Sequence, residues 1–95
     1  MKIRTENTHR GTTIFIDPYR SQDNQGMTAD VIVQTKRMTE DGFTKAKVKI
    51  YSSRSKTPAQ ARQFALAMLK AADLAQDLDD ANEQRAQEID YEVEI

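Results

Sequence analysis

The chain's single histidine, His9, stands in the run Thr8-His9-Arg10-Gly11 and is the first residue to weigh for acid–base or metal chemistry. It has no partners of the required kind. The 95 residues contain no Cys, no Gly-rich phosphate loop, no Gly-x-Ser-x-Gly turn and no second His that could close a zinc site. A lone imidazole beside an arginine in a turn is most simply a solvated side chain. Asp77, Asp79, Asp80 and Glu83 form a dense carboxylate cluster, but they lack the glycine-centred loop of a calcium site. Within a run of strong helix formers they read as a solvated helix face. The expectation is a protein that is not an enzyme and holds no metal or cofactor.

Positive charge is the more telling pattern. Lys45, Lys47 and Lys49 alternate with Ala46, Val48 and Ile50, so one face of an extended segment is basic and the other apolar. Lys36 falls on the same face of the preceding segment, and Tyr51 and Arg54 extend the row. A basic sheet with an exposed aromatic suits single-stranded nucleic acid, the cations following phosphates and the ring stacking on a base. The competing explanation is internal. Ile89-Asp90-Tyr91-Glu92-Val93-Glu94-Ile95 alternates strictly, as a half-buried strand does. Placed beside residues 44–52, it would set Asp90, Glu92 and Glu94 against the lysines, with opposite charges on neighbouring strands contributing roughly 0.2–1 kcal/mol per pair. Charge sign and apolar face agree at once in that arrangement, so a neutralised sheet is expected. Nucleic-acid binding, which needs uncompensated cations, is then the alternative.

These side chains have to be positioned by a small number of elements. Residues 2–6 and 12–17 alternate or are β-branched, Asn7 to Gly11 supplies turn chemistry and Pro18 ends the second run, which predicts a first hairpin with a longer loop. Residues 18–28 are polar and turn-rich and are expected to form a loop. Residues 29–38 and 43–53 flank Asp41-Gly42, the dipeptide of a two-residue type I′ turn. That turn would pair Glu40 with Phe43, Lys36 with Lys47, Gln34 with Lys49 and Val33 with Ile50. Val31, Val33, Thr35, Ala46, Val48 and Ile50 then share a core face; Ile32, Gln34, Lys36, Met38, Lys45, Lys47, Lys49 and Tyr51 share the other.

The helix has clear start signals: Thr57 as N-cap, Pro58 at the first helical position and Gln60 completing a capping box. Ala, Leu, Met, Gln and Lys dominate to about Gln87. Ala61, Phe64, Ala65, Met68, Ala71, Ala72, Ala75 and Leu78 form the expected apolar stripe, with Leu66, Leu69 and Leu74 off its centre. The predicted fold is α+β: an antiparallel sheet of 4–5 strands packed on one long helix, with a C-terminal strand, in the order β-β-β-β-α-β.

In outline, antiparallel strands followed by a dimerising helix, the chain resembles single-stranded-DNA-binding coactivator and whirly proteins. The segment Thr57-Pro58-Ala59-Gln60-Ala61-Arg62-Gln63-Phe64-Ala65-Leu66-Ala67-Met68-Leu69-Lys70-Ala71-Ala72-Asp73 also resembles the helix that closes many small phage, prophage and mobile-element accessory proteins, in which a few strands precede it. That resemblance implies an accessory factor acting by direct binding, for example on a host factor. It assigns no functional residue and does not extend to residues 88–95.

Composition sets the scale. Ile, Leu, Val and Phe total 18, so one domain can close a thin core that a second copy would complete. The formal charge of −1 hides a segregation: residues 1–62 carry twelve Lys/Arg against six Asp/Glu, and residues 63–95 carry two against nine. The acidic half admits a further reading as a nucleic-acid-like surface, against the simpler one of a solvated helix. No apolar run has the length of a membrane span, and without Cys or a leader pattern the cytoplasm is the expected location. The first functional expectation is therefore a non-enzymatic interaction protein, homodimeric through Leu66, Leu69 and Leu74, that binds a protein partner. Its surfaces would be the 18–28 loop, the acidic helix and the exposed hairpin positions. The alternative is a single-stranded nucleic-acid binder using Lys36, Lys45, Lys47, Lys49, Tyr51 and Arg54. A small-molecule or nucleotide sensor in a dimer cleft comes third.

Overall fold

A computed structural model describes residues 1–19, 29–38, 42–51 and 54–94, with side chains described as far as Gln84. Four strands precede one helix: β1 (Lys2–Thr8), β2 (Gly11–Asp17), β3 (Val31–Lys36), β4 (Lys47–Ile50) and α1 (Pro58–Glu94). The strands form an antiparallel sheet in sequence order, with β1 and β4 at its edges. The α+β class, the meander and the single long helix are as the sequence predicts.

One side of the sheet carries the core. Ile14, Ile16, Val31 and Val33 are buried against Ala67 and Ala71 of α1, with Ala46, Val48, Phe64, Met68, Leu74, Ala75 and Leu78 packed around them. The helical members recur at three- and four-residue spacing, the period of one helix face. This stripe is rotated from the expected one. Ala61, Ala65 and Ala72 are exposed, whereas Ala67 and Ala71 are fully buried at the helix–sheet contact. A helix approaches a sheet most closely through its smallest side chains, and flanking Phe64, Leu74 and Leu78 then fill the space beside that contact. Leu74 consequently belongs to the core and not to an outer contact surface, unlike Leu66 and Leu69, which are 60% and 65% exposed.

The N-terminus of α1 is closed by the expected capping box. The Gln60 N–H donates to Thr57 Oγ1 at 3.2 Å and the Thr57 N–H donates to Gln60 Oε1 at 3.1 Å. At the other end, α1 continues to Glu94 and replaces the expected C-terminal strand. Ile89 and Val93 are four residues apart, so the same residues that alternate also fit a helical repeat. Once a helix is propagating through good formers, each added residue gains a hydrogen bond without a new nucleation cost. At 1.5 Å per residue, 37 helical residues span about 55 Å, in keeping with a longest dimension of 57 Å. The helix thus overhangs the sheet, and the chain exposes 7048 Å² where a compact chain of this mass would expose about 5,500 Å².

The second hairpin differs from expectation in register. Gln34 pairs with Lys47, Ile32 with Lys49, Val33 with Val48 and Val31 with Ile50, a shift of two from the predicted set. Nearer the loop, Arg37 pairs with Phe43, the Met38 N–H bonds Gly42 O and the Thr44 N–H bonds Lys36 O. Glu40 and Asp41 lie outside the described residues, but the observed pairs exclude the Glu40–Phe43 register of a two-residue turn. Between the Lys36–Thr44 and Gln34–Lys47 pairs, Thr35 faces both Lys45 and Ala46, which makes a β-bulge. The bulge frees the Ala46 N–H, and Asp79 of α1 accepts it at 2.7 Å.

Candidate functional site

Among the described residues no second layer covers the side of the sheet opposite α1. Register places Lys2, Arg4 and Glu6 of β1, Thr13 and Phe15 of β2, Ile32, Gln34 and Lys36 of β3, and Lys47 and Lys49 of β4 on it. A register shift of two keeps every residue on its face, which is why the predicted core and outer sets survive the correction. A continuous row crosses all four strands: Arg4, Phe15, Ile32, Lys49. The next row is Glu6, Thr13, Gln34, Lys47. Neighbouring positions in a row stand about 5 Å apart, and Lys47 and Lys49 about 7 Å apart along the strand.

Of the expected nucleic-acid set, Lys36, Lys47 and Lys49 are brought together on this face and are exposed. Tyr51 continues beyond β4, its N–H held by Asp30 O at 2.9 Å and its side chain 63% exposed. Lys45 is exposed in the bulge. Arg54 lies off the sheet, in the segment leading to α1. Lys36 faces Thr44 across the hairpin and not Lys47. Among the described residues, Lys36, Lys45, Lys47 and Lys49 make no ion pair, whereas Arg4 is joined to Glu6. The expected partners Asp90, Glu92 and Glu94 are in α1 and not on a strand beside β4, and their side chains lie outside the described set. The 18–28 contact loop lies outside it from Arg20 onward.

Two features of the face are not anticipated from sequence. The Arg4 guanidinium lies over the Phe15 ring, 4.2 Å from its centroid, and is also bonded to Glu6. It forms a flat cationic platform over the β1–β2 side of the sheet. At the end of the face bearing the first hairpin turn is a groove of about 730 Å³, lined among others by Glu6, Arg10, Gln34, Lys36 and Arg37. Arg10 and Arg37 come together there because the Arg37 N–H donates to Arg10 O at 2.8 Å. The signal for both features is the strict alternation of β1, whose consequence depends on pairing Arg4 with Phe15 through a tight His9-Arg10 turn and not through a longer loop.

At the opposite end of the face, Asp17 is buried and accepts the Tyr19 N–H at 2.9 Å. Burial pushes the Tyr19 hydroxyl above its ordinary pKa, and the Asp30 and Asp17 carboxylates add to the effect. Among the described residues no group of His or carboxylate side chains could hold a metal ion, and no helix is long and apolar enough to cross a membrane. No protein-family model, curated protein or solved structure matches the chain.

Proposed function

We propose that the protein is a non-enzymatic binding module that holds single-stranded nucleic acid across the open face of its sheet. The observation that carries this reading is the helical course of the chain through Glu94. With no fifth strand beside β4 among the described residues, Lys47 and Lys49 keep an exposed edge position instead of facing a carboxylate strand. Lys36, Lys47 and Lys49 then supply phosphate contacts along one diagonal of the face. The Arg4–Phe15 stack and Tyr51 supply planar surfaces for bases. This reverses the order of the expectations drawn from sequence, where the neutralised sheet took precedence.

A protein-partner role keeps one observation in its favour. Leu66 and Leu69 project from α1 away from the sheet, beside exposed Ala65 and Ala72. The accessory-protein resemblance belongs with this second reading.

Lys45→Glu, Lys47→Glu and Lys49→Glu combined separate the two. If the face is a free binding surface, the variant keeps its unfolding free energy to within about 0.5 kcal/mol per site and loses oligonucleotide binding. A large loss of stability would show instead that the lysines answer carboxylates within the fold. Unchanged oligonucleotide binding would remove the face from the site and leave the helix reading.

A further inference from the structure

The groove at the hairpin end of the open face differs from the rest of that face in being concave and walled by anchored backbone. Arg10 sits in a two-residue turn fixed on both sides: its N–H bonds Thr8 Oγ1 at 3.1 Å and its carbonyl accepts the Arg37 N–H. Lys36 is held equally firmly, its N–H bonding Thr44 Oγ1 at 2.9 Å and its carbonyl accepting the Thr44 N–H. Arg37 Nη1 reaches the His9 carbonyl at 3.4 Å, which aims the guanidinium along the turn. Two cations, Arg10 and Lys36, are thus mounted on a backbone that loses little freedom when they close on a ligand. Among the described lining residues the carboxylate is Glu6, which is engaged by Arg4. On the groove's inner side, Gln34 Nε2 and Thr13 Oγ1 approach each other at 3.5 Å, a weak contact that leaves the amide and hydroxyl available to a polar ring edge.

We propose that this groove is a nucleotide subsite: Arg10 and Lys36 bind the phosphoryl oxygens, and Gln34 and Thr13 meet the edge of the attached base. The chemistry is that of a phosphate monoester or diester carrying a planar heterocycle, which a strand and a free nucleotide both present. Bidentate and charge-assisted bonds from guanidinium and ammonium groups are the strong contacts for such an anion. The inference deepens the sheet-face reading, and the two fail in different ways.

The test is an amide chemical-shift titration of the whole chain with adenosine monophosphate, inorganic phosphate and adenosine, with a short single-stranded oligonucleotide as a separate arm. The monophosphate should shift amides of Thr8–Gly11 and Gln34–Met38, phosphate should shift the same amides more weakly, and adenosine should leave them in place. Arg10→Ala with Lys36→Ala should weaken the monophosphate about tenfold or more, as loss of two charge-assisted contacts implies. Lys70→Ala, on the outer face of α1, should change nothing. Glu6→Gln should move affinity the other way, which a merely misfolded variant could not do. In the oligonucleotide arm the double variant should flatten the logarithmic salt slope by about 1.4, two contacts' worth. Monophosphate shifts that are absent, or scattered away from the groove, would overturn the subsite; so would a double variant no weaker than Lys70→Ala. Oligonucleotide binding with an unaltered slope would overturn the subsite while leaving the sheet face standing. Monophosphate binding in the groove without oligonucleotide binding would support the subsite for a free nucleotide and overturn the sheet-face reading.

Discussion

At φ 135°, with Thr35 O only 2.2 Å from where a Cβ would stand, Gly11 closes the first hairpin in a way no other residue can. The obstructing atoms are backbone, so the neighbouring strand itself would have to move. Gly11→Ala should therefore cost roughly 2 kcal/mol or more in denaturant unfolding, and a neutral result would show that the turn re-forms differently. Tyr19 makes a second residue-level prediction. Its raised hydroxyl pKa means that the folded state keeps a proton the unfolded chain gives up near pH 10.0. The stability this contributes is complete below that pH and is lost as pH rises from there toward the folded value. Tyr19→Phe should flatten that alkaline limb, and an unchanged limb would place its origin elsewhere. Lysines such as Lys47 and Lys49 are legible in the sequence because alternation alone assigns a face. Arg10 and Arg37 are not, because they meet only through the pairing of two strands separated by residues 18–30, and alternation is silent about which positions lie opposite each other.

Among the elements, α1 is the one whose start the sequence shows most plainly and whose end it obscures. Thr57, Pro58 and Gln60 make a local signal, and the structure realises it bond for bond. The seven-residue alternation at 89–95 is also local, but it competes with a helix already propagating, and the helix takes residues 89–94. The β3–β4 register shows the same limit. The Asp-Gly dipeptide points to the tightest hairpin, yet the sheet takes a wider loop and a bulge, because Ala46 and Val48 must meet the helix while Asp79 is placed to accept the freed Ala46 N–H. Asp79→Ala should leave that donor without its partner and lower stability by about 1–3 kcal/mol. Asp79→Asn, which keeps an acceptor oxygen, should recover part of the loss. Equal losses from both substitutions would mean that the contact is not holding the bulge.

For the whole molecule, the segregated charge has a spatial meaning: the basic part of the chain builds the sheet and its open face, and the acidic part builds the far half of α1. A radius of gyration of 15.9 Å, against about 12 Å for a compact chain of this length, reflects the overhang of that helix, although Asp79 stays beside Ala46 and, with Glu83, lines a pocket shared with Lys45. At physiological ionic strength charges separated by more than about 8 Å are largely screened, so only carboxylates as near as Asp79 and Glu83, which stand beside Lys45, can offset the lysines appreciably. In the proposed binding mode the face remains electrostatically available to a polyanion. Titrating a fluorescently labelled single-stranded oligonucleotide into the whole chain at two salt concentrations tests it most directly. Binding at micromolar protein that weakens with salt is expected, with a logarithmic slope of about −2 for the Lys36, Lys47 and Lys49 contacts and about −3 when Arg10 joins them. No binding at micromolar protein, or binding indifferent to salt, would contradict it.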